Sequence, residues 1–254
     1  MALNGQKVVA VIEARMTSSR LPGKVLLPAD GTPLLQILCE RLQRVERLDE
    51  IVIATTINAT DDPIADLAER AEVGLFRGSE EDVLQRVCDC LKKHQSSVCV
   101  EVSGDCPLVD PAIVDEALDA FSAKPDQIYV SNSDPHRAVP AGLDVQIFLA
   151  SALHQLEDET LAPEDREHVT YGFYRESGRE RWQPKFITHP ATVGSEKLWV
   201  SLDHPEDYEL IKALHEEVSV VKIDYGALEI IEWIHAHPYL HQRCLALRPD
   251  WTSK

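Results

Sequence analysis

The sequence lacks the features of a membrane-bound or secreted chain. No window approaches the apolar run of about eighteen residues that a helix needs to cross a bilayer, and the N-terminus lacks the long apolar stretch of a signal peptide. Basic residues are also scarce, since 25 Lys and Arg stand against 43 Asp and Glu, a formal net charge of −18. Such a surface does not gather polynucleotide phosphates, so any polyanion site must be local. We therefore expect no membrane partner, no nucleic-acid partner and a cytoplasmic location.

Cysteines are few and are not spaced as pairs. The six cysteines are Cys39, Cys88, Cys90, Cys99, Cys106 and Cys244. They show neither C-x-x-C spacing nor the density of a secreted scaffold, which predicts reduced thiols. Cys88 and Cys90 lie two positions apart on a predicted helix and so face different directions, which disfavours a shared metal. We predict no structural zinc site.

The first half of the chain alternates short β-branched runs with helical patterns. Strands are predicted at 7–14, 50–56, 73–78 and 98–104, and helices at 33–45, 61–71, 80–94 and 111–123. This alternation is typical of βαβ units. Because the strands are almost continuously apolar, both faces of the sheet must be covered. The sequence therefore predicts an α/β protein with a mostly parallel central sheet and helices on both faces.

The pattern loosens from about residue 128. Strands are predicted at 128–132, 143–149 and 198–202, with helices at 150–159 and 203–218 and a charged segment at 163–177. The region that begins at about residue 128 suggests an inserted arm or lid. The tail is amphipathic and interrupted by Pro238, and Ile230, Ile231 and Ile234 predict a face that packs on the core or on a second subunit.

These patterns divide the chain into two predicted parts. We assign residues 1–220 to one domain, in which 128–195 form an acceptor and dimerisation subregion, and residues 221–254 to a C-terminal helical extension. The sequence shows no internal repeat and no low-complexity segment.

A basic loop follows the first predicted strand. Residues 14–24 place three cations, Arg15, Arg20 and Lys24, in one turn with three hydroxyl side chains. Arginine forks and a lysine charge bind phosphates through charge-assisted hydrogen bonds, and backbone N–H groups in such a turn add donors. The loop is neither a Walker P-loop nor G-x-G-x-x-G. It predicts a triphosphate site, the alternative being exposed loop charges with Gly23 serving only the turn.

Two aspartates follow predicted strands and closely precede prolines. Asp105 lies at the end of the fourth strand, where α/β folds place ligands, and Asp203 follows the strand predicted at 198–202. Carboxylates that converge provide the hard oxygen ligands of Mg²⁺, which would neutralise phosphate charge during an in-line attack. The alternative is that each aspartate is a helix N-cap before proline.

Six segments together resemble a known family. They are the loop at 14–24, RGSEEDVLQR (77–86), GDCPL (104–108), AGLDVQIF (141–148), REHVT (166–170) and LDHPEDYELI (202–211). In this order, over about residues 7–215, they resemble the cytidylyltransferases that include spore-coat polysaccharide synthesis proteins. They are more distantly similar to CMP-sialic acid and CMP-Kdo synthetases. The resemblance implies a three-layer nucleotidyltransferase fold of the glycosyltransferase-A type, CTP as substrate, Mg²⁺ as cofactor and a homodimer.

The resemblance also implies roles for individual residues. Arg15, Lys24, Asp105 and Asp203 would be catalytic, the two aspartates as metal ligands. Nucleotide contacts are expected from Ala14, Arg15, Met16, Ser18, Arg20, Gly23, Lys24, Arg77, Ser79 and Ser103. Acceptor contacts are expected from Gly142, Asp144, Arg166, Glu167 and His168.

Several alternatives remain open at this point. Ser79, with Asp82 three positions later, suits a helix N-cap, and a lone histidine such as His168 is more often structural than catalytic. The chain could also be a glycosyltransferase, although it lacks a second aspartate in D-x-D spacing at Asp105, or a non-catalytic nucleotide-binding module. The acceptor cannot be read from the sequence.

Overall fold

The computed structural model describes residues 3, 5–133, 137–159 and 162–248. A seven-stranded sheet in the order β5-β4-β1-β6-β8-β7-β9 forms its centre. Its strands are β1 (Val8–Glu13), β4 (Glu50–Thr56), β5 (Gly74–Gly78), β6 (Val98–Ser103), β7 (Tyr129–Ser131), β8 (Gln146–Leu149) and β9 (Lys185–Phe186). Strand β8 runs antiparallel to both of its neighbours, while the other four pairings are parallel. The predicted mostly parallel sheet is confirmed.

A two-stranded ribbon and the helices complete the fold. The ribbon pairs β2 (Pro28–Ala29) with β3 (Thr32–Pro33). The helices are α1 (Leu34–Leu42), α2 (Asp62–Arg70), α3 (Val83–Lys93), α4 (Pro111–Ser122), α5 (Ala150–Glu157), α6 (Pro163–Glu167), α7 (Tyr171–Tyr174), α8 (Glu176–Trp182), α9 (Pro205–Val221), α10 (Ala227–Ala236) and α11 (Pro238–Ala246). Within the described ranges, no helix has the length and apolar character required to cross a membrane.

The helices lie on both faces of the sheet, which makes three layers. Side chains from α1, α2, α4, α9, α10 and α11 form a core with one face. Those from α3, α5, α7 and α8 form a second core with the other face. The central strands are buried on both sides, as their unbroken apolar sequences require.

The second half of the chain is continuous with this sheet. Residues 128–195, predicted as an inserted subregion, contribute β7, β8 and β9 as well as α5–α8. The strand predicted at 198–202 is wrong, because this segment makes only one isolated bridge, between Trp199 and Ala141. The chain there runs over the edge of the cavity described below instead of entering the sheet.

The tail packs on the main core. Ile230 and Ile234 of α10 are fully buried and Ile231 is nearly so, which confirms the predicted apolar face. The Asp110 carboxylate caps α4 and accepts a hydrogen bond from Ala227 N at 2.6 Å, so the start of α10 is tied to α4. Helices α10 and α11 therefore share one core with the sheet. Residues 249–254 of the predicted extension lie outside the described residues.

The strand order explains where a ligand must bind. From β1 the chain crosses to β4 and β5 on one side and then to β6 on the other. The connections that follow β1 and β6 therefore diverge, which opens a crevice beyond the carboxyl ends of these two strands. The basic loop follows β1, and Asp105 follows β6.

Gly142 lets two backbone segments meet at the edge of this crevice. Its φ is +102°, and a Cβ atom at this position would lie 2.5 Å from the carbonyl carbon of Val200. We expect Gly142→Ala to lower the free energy of unfolding by more than the roughly 1–3 kcal/mol of a strained backbone alone, because an overlap with rigid backbone adds to the strain. Urea unfolding measures this loss.

Gly194 provides a matched control for that substitution. Its φ is +83°, but a Cβ atom there would meet nothing within 4 Å. Gly194→Ala should therefore show the strain without the overlap. Equal losses of stability in the two variants would contradict the close approach at Gly142.

Candidate active site

A cavity of about 390 Å³ opens where β1 and β6 end. It brings together residues that the sequence predicted from separate segments. These are Ala14, Arg15, Ser18, Arg20, Lys24, Ser103, Asp105, Glu167, His168 and Asp203. Its other lining residues are Glu13, Ser19, Val25, Val83 and Arg86. Cations, hydroxyls and carboxylates thus share one polar space.

The basic loop is held in shape by its backbone. Gly23 adopts a left-handed conformation with φ +72° and donates from its N–H to Met16 O at 2.9 Å. Met16 N in turn donates to the carboxylate of Asp61 at 2.9 Å. Met16 and Gly23, both predicted to contact nucleotide, do not line the cavity. Their visible role is to close the loop so that the cations beside them face the crevice.

Asp61 is the buried anchor of this loop. It is fully buried and accepts hydrogen bonds from Thr55 Oγ1 at 2.9 Å and Thr56 Oγ1 at 2.6 Å as well as from Met16 N. Burial alone would raise the pKa of Asp61, but these hydrogen bonds lower it below its usual value. A carboxylate at the end of β4 therefore fixes a loop at the end of β1. Asp61 was not predicted from the sequence, although its position after a strand was a usable signal.

Lys24 lies between the two predicted metal ligands. Its Nζ is 3.1 Å from Asp105 Oδ2 and 3.1 Å from Asp203 Oδ1, and it donates to Leu202 O at 2.6 Å. Leu202 N donates to Asp105 O at 2.8 Å, so the two aspartate segments are joined by backbone as well. Neither aspartate is a helix cap, because α4 is capped by Asp110 and α9 by His204. The structure therefore contradicts the capping alternative.

Opposite charges surround Asp203. Arg20 Nη2 lies 2.7 Å from Asp203 Oδ1, the oxygen that Lys24 also contacts. Burial would raise the pKa of Asp203, but the charges and hydrogen bonds of Lys24 and Arg20 outweigh it and lower the pKa. The carboxylate of Asp203 is therefore ionised at neutral pH.

Asp207 and Arg248 support Asp203 from behind. Asp207 is almost fully buried and accepts hydrogen bonds from Asp203 N at 2.9 Å and His204 N at 2.8 Å. Arg248, which follows α11, contacts both oxygens of Asp207 at 2.5 and 3.0 Å. Its guanidinium also stacks 3.9 Å above the Trp199 ring. The C-terminal segment thus fixes the backbone that presents a predicted metal ligand.

The donor atoms suit a hard divalent cation. The Asp105 and Asp203 oxygens converge on one point that is filled by the ammonium of Lys24. Oxygen-only ligands, with waters and phosphates to complete the shell, are what Mg²⁺ prefers. His204 caps α9 and is not in the cavity lining. The residues present therefore fit the predicted Mg²⁺ once Lys24 moves to another anion.

In the segment at and after β5, Arg77 and Ser79 make contacts other than those predicted. Ser79 is not the N-cap of α3, because Asp82 caps it and accepts from Gln85 N. Ser79 Oγ instead accepts from Asp82 N at 3.0 Å. The Arg77 guanidinium donates to Thr56 O at 2.8 Å and to Asn58 O at 2.6 Å. Arg77 and Ser79 are outside the cavity lining, and their nucleotide contacts stay predictions.

The predicted acceptor residues divide into two groups. Glu167 and His168 line the cavity opposite the basic loop, whereas Gly142, Asp144 and Arg166 do not. Asp144 is paired with Arg137 and accepts from Gly142 N at 2.9 Å, and Arg166 lies 3.0 Å from Asp82. These three residues hold the surrounding chain in place.

Two carboxyl groups and an arginine beneath the cavity were missed from the sequence. Glu13 ends β1, Glu101 lies on the neighbouring strand β6, and a hydrogen bond joins their side chains. Burial raises the pKa of both groups, and the Glu13 charge raises that of Glu101 further, so Glu101 keeps the proton and donates to Glu13. Arg86 is 3% exposed and lowers the pKa of Glu13. In the sequence, the only indication of this buried pair was that the apolar strands β1 and β6 each contain a single charged residue.

The protonated Glu101 should make stability depend on pH. The folded protein keeps this proton above the ordinary pKa of 4.5, where the unfolded chain releases it. The free energy of unfolding therefore falls as pH rises from about 4.5 to the raised pKa, by about 1.4 kcal/mol for each pH unit in that window. We expect Glu101→Gln to reduce this decline, since an amide donates the same bond without ionising and only the contribution of Glu13 is left. Urea unfolding from pH 5 to pH 8 measures the slope. Glu46→Gln, at an exposed site, is the control and should leave the slope unchanged.

Comparisons with known proteins agree with this geometry. The family model described as cytidylyltransferase matches residues 9–229. The spore coat polysaccharide biosynthesis protein SpsF of Bacillus subtilis is 32% identical over 237 residues, which cover 91% of this chain and 95% of that protein. The 3-deoxy-manno-octulosonate cytidylyltransferase of Zea mays is 32% identical over 238 residues, covering 87% and 76%. A solved cytidylyltransferase from Leptospira borgpetersenii is 31% identical, with a TM-score of 0.86 over 93% of this chain and 97% of that one.

Proposed function

The chain belongs to the cytidylyltransferase family, and from that premise we propose that it transfers CMP from CTP to a small acceptor, with Mg²⁺ as cofactor and pyrophosphate as the second product. One observation carries the proposal beyond the family. Lys24 of the basic loop lies 3.1 Å from each of two carboxylates that reach the same crevice, Asp105 and Asp203. Phosphate-binding and cation-binding groups are therefore in direct contact, as transfer at a phosphorus atom requires.

The basic loop would bind the triphosphate. Arg15 and Arg20 are about half exposed and line the cavity, and their exposed guanidinium groups would reach phosphate oxygens by leaving Glu80 and Asp203. When the nucleotide enters, Lys24 and Arg20 exchange the Asp203 carboxylate for phosphate. Bound Mg²⁺, held by the two aspartates, supplies neutralisation of the phosphate charge. The protein contributes positioning and electrostatic stabilisation and needs no covalent intermediate.

The acceptor would bind on the opposite wall. Glu167 and His168 line the cavity there, with Glu13 and Arg86 beneath them. Glu13 Oε1 and Arg86 Nε are buried and have no hydrogen-bond partner within the described part of the chain. One accepts and the other donates, which suits a hydroxylated acceptor. We propose a sugar acid or a phosphorylated or phosphonate alcohol, and the SpsF relative supports a place in polysaccharide synthesis.

Pyrophosphate release tests the function. The purified protein is incubated with CTP, Mg²⁺ and a panel of sugar acids and phosphorylated alcohols. We expect pyrophosphate to form in step with CTP consumption for one acceptor class, and far more slowly with ATP, GTP or UTP. Tight binding of CTP without turnover on any acceptor would show a binding module instead. Release of a nucleoside diphosphate from a nucleotide sugar would show a glycosyltransferase.

A further inference from the structure

A second group of metal-ligating side chains lies between α3 and α5. Cys88 comes from α3, and His154 and Glu157 come from α5. One potential ligand atom from each residue lies within 4.8 Å of the other two. His154 and Glu157 are three positions apart, so they lie on the same helix face and point towards α3 together. None of the three residues lines the cavity of the proposed active site.

The ligand atoms are available for coordination. His154 Nδ1 is buried and makes no hydrogen bond to any residue that the structure describes. Burial lowers the pKa of His154, so the imidazole is neutral and can offer a lone pair. The Cys88 Sγ makes a weak contact, 3.9 Å from Leu153 O. Burial and the neighbouring Glu157 raise the pKa of Cys88, which keeps it a thiol while no cation is bound.

The geometry points to a binding site for a thiophilic divalent cation such as Zn²⁺, formed by Cys88, His154 and Glu157. Sulfur, imidazole nitrogen and carboxylate oxygen are the three donor types that Zn²⁺ accepts, with a water in the fourth position. A hard cation such as Mg²⁺ does not compete for thiolate and imidazole. The active site and this site therefore select different metals.

Two of these three residues can balance the 2+ charge of the cation. Binding releases the Cys88 proton, so the thiolate and the Glu157 carboxylate together neutralise the 2+ charge. Lys92 lies 3.1 Å from Glu157 and occupies that carboxylate when no cation is present. Its side chain is 53% exposed, so it can swing into solvent. Cation binding therefore displaces the Lys92 ammonium into solvent as well as the Cys88 proton.

The prediction of no structural zinc site follows from local cysteine spacing, which does not reveal ligands on separate helices. Cys90, two positions from Cys88, is not part of the group. The partners of Cys88 come from a helix more than sixty residues later in the chain. Only the packing of α3 on α5 brings them together.

Titration with Co²⁺ tests the site, since a cobalt–thiolate bond adds a strong near-ultraviolet absorption. With excess Mg²⁺ present to fill the site at Asp105 and Asp203, we expect the thiolate absorption to saturate at one Co²⁺ per chain and to be lost when Zn²⁺ is added. Cys88→Ser should abolish the thiolate absorption. His154→Gln, at a half-buried position, should weaken binding by at least the roughly 10- to 100-fold typical of losing an outer-shell partner. Cys90→Ser, on the same helix and also buried, is the matched control and should bind as the unmodified protein does.

Three outcomes would overturn the proposal. They are absence of the thiolate absorption in the folded protein, its persistence in Cys88→Ser, and unchanged affinity in His154→Gln. Circular dichroism of each variant separates loss of the site from loss of the fold. CTP turnover is measured in the same samples, so failure of this site and failure of the proposed function are seen separately.

Discussion

Replacing Asp203 or Asp105 by asparagine is expected to reduce cytidylyl transfer by about 10²- to 10³-fold or more. Each change removes one negative charge from the point where both carboxylates converge. A metal ion that stabilises phosphate charge lowers the activation free energy by several kcal/mol. A change of about 1.4 kcal/mol corresponds to a tenfold change in rate. Asparagine keeps the volume, and the Asp203 backbone remains held by Asp207. The measurement is the rate of pyrophosphate release as a function of Mg²⁺ concentration.

The dependence on Mg²⁺ distinguishes a metal ligand from a purely structural aspartate. Both variants should need more Mg²⁺ for half of their maximal rate, whereas a structural role would leave that concentration unchanged. The double variant should be little worse than either single one, because the two carboxylates act as a unit. Asp126→Asn, at an exposed position outside the cavity, is the control. Full turnover in Asp105→Asn or Asp203→Asn would defeat the metal assignment.

Lys24→Met should lower turnover but strengthen the binding of Mg²⁺ to the protein without nucleotide. Turnover should fall by about 10²-fold or more, because a cation that contacts phosphate in the transition state is removed. Without nucleotide, the protein should lose about 1–3 kcal/mol of stability at neutral pH, since two carboxylates are left without their shared ammonium. Mg²⁺ alone should restore that stability and bind more tightly than it does to the unmodified protein, because it no longer displaces Lys24.

Thermal unfolding with and without Mg²⁺ measures the second effect. Arg20→Met is the comparison, because Arg20 also contacts Asp203 but is 57% exposed. Arg20→Met should change the stabilisation by Mg²⁺ much less than Lys24→Met does. If Lys24→Met gained no extra stabilisation from Mg²⁺, Lys24 would not occupy the cation position.

The sequence predicted several residues that the structure brings together in the cavity. Arg15, Lys24, Asp105 and Asp203 all follow apolar runs, and the carboxyl ends of parallel strands meet at one edge of a sheet. Asp203 also lines the cavity, although the segment before it is not the sheet strand that the sequence predicted. A single bridge to Ala141 and backbone contact with Asp105 hold it there instead.

The remainder depends on burial and on contacts between distant segments. Arg77 looks like a phosphate ligand in sequence, yet its donors are used by the turn after β4. Asp61, Glu13 and Glu101 appeared as ordinary helix or strand residues, because a position after a strand or a single charge in an apolar run does not by itself show that the carboxyl group is enclosed. The role of Arg248 was equally hidden, since its partner Asp207 lies on another helix.

The contact between Arg248 and Asp207 makes two parts of the site depend on different lengths of chain. The basic loop is held by Asp61, so its contacts lie within the first half of the chain. The backbone of Asp203 is held by Asp207, which Arg248 contacts while it stacks on Trp199. The C-terminal segment therefore contributes to the site through Asp203, whereas the shape of the basic loop is set more than 180 residues earlier in the chain.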